Sequence, residues 1–60
     1  MNSLDYYIYK SILERLGSRF DYFQLHKFFS KDEIKAIGRL VKRGVLDIEI
    51  ENERIWIVRR

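Results

Sequence analysis

Few side chains in this sequence could do chemistry, and those present limit what it can be. His26 is the only histidine and there is no cysteine. Neither a transition-metal site nor a nucleophile–base triad can be assembled from such a set. Neighbouring carboxylates occur at Asp32 with Glu33 and at Glu49 with Glu51. The first pair has a helix-capping explanation, and the second lies on one solvated strand face with no pocket to raise a pKa. Gly17, Gly38 and Gly44 stand alone, so no glycine-rich phosphate loop exists. These residues predict a binding protein without catalysis, metal or cofactor.

What remains is cationic. Of twelve Lys and Arg residues, Lys31, Lys35, Arg39, Lys42 and Arg43 fall in one short stretch, and the formal net charge is +3. Clustered cations of this kind suit a polyanion.

The elements that must position them follow from periodicity. Residues 5–16 predict a first helix, with Tyr6, Ile8, Tyr9, Ile12, Leu13 and Leu16 on its apolar side, Ser3 or Asp5 as N-cap and Gly17 as terminator. Ser18 to Asp21 reads as a connection. Residues 21–29 predict a short second helix capped by Asp21. Residues 31–43 predict the third: Ser30 and Glu33 have capping-box spacing, Ile34, Ile37, Leu40 and Val41 form an apolar stripe, and Gly44 closes the helix. Beyond Gly44 the period changes to two. Residues 45–51 and 54–59 predict a hairpin turning at Asn52-Glu53, which sets Glu51 opposite Arg54, Ile50 opposite Ile55 and Ile48 opposite Ile57. The four isoleucines then share one face, which is expected to cover the helices.

The expected fold class is α+β, three helices followed by a two-stranded hairpin in one domain covering residues 1–60. From Phe20 to Arg60, and above all in the stretch Lys42-Arg43-Gly44-Val45-Leu46, the chain resembles the winged helix-turn-helix family. That resemblance implies that the third helix is the recognition helix, that Val45 and Leu46 enter the core, and that the hairpin is the wing. It also implies that the basic face of the third helix enters the major groove of double-stranded DNA, and that the protein is a small transcriptional regulator.

The physics fits such a role. With Ile34 at zero and about 100° per residue, the apolar stripe centres near about 310° and the cations near about 130°. Lys31, Lys35, Arg39, Lys42 and Arg43 are therefore the expected DNA contacts, with Arg39 aimed at a base edge and Lys42 and Arg43 at phosphates. Asp32 on the same face could accept from cytosine, assist the helix N-terminus or repel phosphate. The wing departs from the family pattern, carrying Asp47, Glu49, Glu51 and Glu53. Arg19, Arg59 and Arg60 must then supply the remaining DNA contacts.

A protein-interaction role is the alternative: an accessory subunit of a replication, transcription or translation complex, with Trp56, Val58 and Tyr7 as interface residues. RNA is a third possible ligand. A homodimer through terminal helices is expected from the surplus of aromatic rings. Gly38 disfavours its helix, so a close neighbour is expected there, the first helix before a DNA backbone. The apolar runs are too short to span a bilayer and no signal peptide is evident, which predicts a soluble, cytoplasmic protein. Scarce amides with abundant Ile, Lys, Arg and Glu resemble hyperthermophile usage and suggest an archaeal or archaeal-virus source.

Overall fold

The computed structural model describes residues 3–60, with side chains from Tyr6 onward. It is α+β, with three helices and a three-stranded antiparallel sheet. In chain order these are α1 (Ser3–Leu16), β1 (Arg19–Asp21), a 3-10 turn (Tyr22–Gln24) leading into α2 (Leu25–Phe28), α3 (Lys31–Lys42), β2 (Leu46–Glu51) and β3 (Arg54–Arg59). Among the described residues no helix is long and apolar enough to cross a membrane.

Helix α1 begins two residues before its expected start, and the caps expected from Ser3 or Asp5 lie outside the described side chains. Gly17 ends it at φ 66°, with its amide donating to the Leu13 carbonyl. Tyr9, Ile12 and Leu16 are buried, one line down the helix. Tyr6 and Ile8, expected on the same side, are exposed because α3 and the sheet cover only that line.

The stretch expected as a connection contains a strand. β1 pairs antiparallel with β3, Arg19 opposite Val58, Phe20 opposite Ile57 and Asp21 opposite Trp56, which makes β3 central in the order β1-β3-β2. Three residues carry too little alternation to announce a strand. This one forms because the open edge of β3 offers unpaired backbone groups. The second helix is likewise shorter than residues 21–29: Asp21 Oδ1 accepts from the Phe23 amide at 2.9 Å and starts the 3-10 turn, and only four residues follow in α-geometry. Its irregular apolar pattern fits this, with Leu25 and Phe29 buried and Phe23 and Phe28 exposed.

Helix α3 matches its local signals. Ser30 Oγ accepts from the Glu33 amide at 3.2 Å, while Glu33 Oε1 accepts from the Ser30 amide at 2.9 Å. At the other end Gly44 takes φ 82°, its amide donates to the Val41 carbonyl and the Val45 amide to that of Leu40. That pattern is a Schellman cap, and it aims the chain into the hairpin.

The hairpin has the expected register, Glu51 with Arg54, Ile50 with Ile55 and Ile48 with Ile57. Burial does not follow the register. Ile57 and Leu46 are 2% and 1% exposed, whereas Ile48 and Ile50 are 45% and 77% exposed. The helices reach only the base of the ribbon, so its outer half keeps an uncovered apolar face. Val45, expected in the core, is also exposed, and the strand begins one residue later, at Leu46.

Asn52 and Glu53 both hold positive φ, 51° and 64°, as a two-residue type I′ turn demands. Glutamate lacks the local hydrogen bonding that lets Asn adopt this region. Glu53→Gly should therefore raise stability by about 1 kcal/mol, seen as a Tm increase of roughly 4–8 °C. An unchanged Tm would mean the turn carries no such strain.

Candidate nucleic-acid interface

The roll of α3 decides which cations face solvent. Its buried residues are Ala36, Ile37 and Leu40, with Ile34 and Val41 only half-buried. On the wheel with Ile34 at zero, the inward direction is near about 250°, rotated by roughly 60° from the expected stripe. The cause is Ala36. Its small side chain is buried, so the helix turns that side inward and leaves Ile34 and Val41 on the shoulder beside the sheet. The outward line becomes Lys31, Lys35, Gly38 and Lys42, spanning roughly 16 Å of helix. Among the described residues, no carboxylate stands within ion-pair distance of the three lysines.

Arg39 and Arg43 turn toward α1. Arg39 Nε donates to Tyr9 Oη at 3.3 Å, and the Arg43 guanidinium lies 6.0 Å from the centre of the same ring. Asp32 lies on this α1-facing side, in a groove with Tyr7, Ser11 and Arg39.

The remaining cations expected at DNA have intramolecular partners. The Arg19 guanidinium lies 4.1 Å over the Trp56 ring and 3.3 Å from Glu51 Oε2. Arg59 Nη2 donates to the Leu13 carbonyl at 2.6 Å, and Arg60 Nε stands 3.6 Å from Asp47 Oδ2. Arg54 completes this lattice by pairing with Asp21 at 2.9 Å. The outer sheet face is thus a mosaic of both signs, with Trp56 and Val58 half-buried inside it. Tyr7 is 66% exposed, its ring edge-on to Tyr6 at 5.7 Å. His26 is on the surface.

Gly38 has no close neighbour. A Cβ placed on it would meet nothing within 4 Å, so the expected approach of α1 does not occur. It borders a groove of about 200 Å³ whose other walls include Tyr22, Ile34, Val41 and Ile48. With Phe23 and Ile50 beyond, this forms an apolar surface between α3 and the outer hairpin. The uniform hydrophobicity of the isoleucine pairs pointed instead to burial.

Arg15 escaped the sequence reading. It donates to Glu33 Oε2 and to the Phe28 carbonyl, and its guanidinium lies 4.6 Å over the Phe29 ring. It thereby clamps α1 to the start of α3, a long-range contact for which spacing holds no signal. The Arg15 hydrogen bond, and then the Ser30 amide, hold the Glu33 carboxyl below its ordinary pKa of 4.5. A carboxylate favoured in the folded state stabilises above the unfolded pKa, and the gain is lost as pH falls through the folded one. Glu33→Gln should cost about 1 kcal/mol at neutral pH and should lose less further stability than the native chain on acidification below 4.5. Parallel acid-unfolding curves for the two proteins would contradict this linkage.

Among the described residues no cluster of His, Asp or Glu could hold a metal ion. Comparison with known proteins finds no matching family model, no similar curated protein and no similar solved structure.

Proposed function

We propose that the chain binds double-stranded DNA through the outward lysine line of α3, as a winged helix-turn-helix module serving as a small transcriptional regulator. One observation carries the reading: Lys31, Lys35 and Lys42 project together from a well-capped helix while carboxylates occupy Arg15, Arg19, Arg54 and Arg60. A helix fits the major groove, and unpaired ammonium groups displace counterions from phosphates. The passage of α3 through Gly44 into an antiparallel hairpin supports the winged-helix assignment. The hairpin takes no part in phosphate contact, since Glu49 and Glu53 carry charge of the wrong sign. The role is one of binding, without catalysis.

A second reading has its own support. The apolar surface formed by Tyr22, Phe23, Ile48 and Ile50 favours a protein-binding accessory subunit. It replaces Trp56 and Val58, which are part of the ionic mosaic, as the interface such a role would use.

Fluorescence anisotropy of a labelled random-sequence duplex decides between them. Three phosphate contacts imply a log–log salt slope of about −2.7, so affinity should fall about fortyfold between ~50 and ~200 mM salt. Absence of binding at the lower salt overturns the DNA reading. Tighter binding of duplex RNA would reassign the ligand.

A further inference from the structure

We propose that Gly38 is where a phosphodiester backbone crosses α3, seated between Lys35 and Lys42; this rests on the DNA-binding reading of the same helix. Glycine within a helix is destabilising relative to alanine, so its presence needs a reason. Backbone conformation does not supply one, because the positive-φ glycines are Gly17 and Gly44 and not Gly38. Packing does not supply one either, because a Cβ there would meet nothing within 4 Å. The requirement must come from outside the chain. One side of Gly38 borders the apolar groove with Ile34, Val41 and Ile48, and the other indicates the visitor: Gly38 lies on the outward line, three residues after Lys35 and four before Lys42, about one turn from each. Neither ammonium has a carboxylate partner among the described residues. Without a Cβ, the helix surface between the two lysines is a dent that admits a phosphate close to the helix while both side chains fold over it.

The contact is to the backbone and not to base edges. The outward line holds no Asn, Gln or Arg whose planar group could form a bidentate base contact. Binding at Gly38 should therefore orient α3 on the duplex without selecting sequence.

The test compares Gly38→Ala and Gly38→Leu with the native chain, reading Tm and anisotropy of the random-sequence duplex at ~50 mM salt. Gly38→Ala should melt a few degrees higher, since alanine favours the helix, yet bind severalfold more weakly. Gly38→Leu should lose about tenfold in affinity, the worth of one phosphate at that salt, with a salt slope shallower by about 1. Native affinity in both variants overturns the proposal, and if Lys35→Glu still weakens binding by about tenfold or more then the DNA reading stands without it. A native chain that does not bind the duplex removes both. Weakened binding together with a higher Tm is an outcome that a purely structural glycine would not produce.

Discussion

Replacing Lys31, Lys35 and Lys42 together by glutamate should lower duplex affinity by at least about a hundredfold at ~50 mM salt and leave the fold intact. Each lysine that meets a phosphate contributes about one unit to the salt slope, and glutamate adds repulsion to the loss. The fold should tolerate the change because all three side chains are exposed and Lys and Glu have similar helix propensity. Against the macrodipole the exchange is favourable at Lys31 and unfavourable at Lys42, each by a few tenths of a kcal/mol. The corresponding alanine triple should flatten the salt slope almost completely. Retained affinity and slope in either variant would refute the lysine line as the contact. Arg19→Glu makes a useful contrast, since it breaks the stacking on Trp56 and opposes Glu51, and so should disturb the sheet before it disturbs binding.

The second large effect separates two isoleucines that hydrophobicity alone would treat alike. Ile12 is fully buried, and Ile12→Ala should cost about 3–4 kcal/mol. A chain of 60 residues has only about 3–9 kcal/mol in hand, so this variant should be largely unfolded at 37 °C by circular dichroism. Ile50 is 77% exposed, and Ile50→Ala should stay within about 0.5 kcal/mol. A large, concentration-dependent cost at Ile50 would instead mean that a second copy covers the hairpin face in solution, a homodimer through the hairpin and not through terminal helices.

The same contrast marks the reach of sequence reasoning here. Elements governed by neighbouring residues were legible: the reciprocal bonds of Ser30 and Glu33 need only their spacing, and Gly44 closes α3 through its own conformational freedom. The hairpin register was legible because one slip would exchange its faces and lose the Glu51–Arg54 opposition. Asp21 was legible as a cap, though of a 3-10 turn rather than a full helix. The lysine line was legible only as part of a broader basic face, since five cations were assigned to it and the roll of the helix keeps three.

What the sequence determined by itself was therefore local: where α3 starts and stops, how the hairpin pairs, and that its charge is predominantly cationic. Tertiary structure decided the rest. It made Arg19–Asp21 a strand by lending it the edge of β3, rolled α3 inward on Ala36, left Ile48 and Ile50 beyond the reach of the helices, and drew Arg39 to Tyr9 and Arg19 to Trp56. Each of those outcomes depends on a partner distant in sequence, and composition and period carry the identity of a residue's neighbours only over the length of one helix or one hairpin.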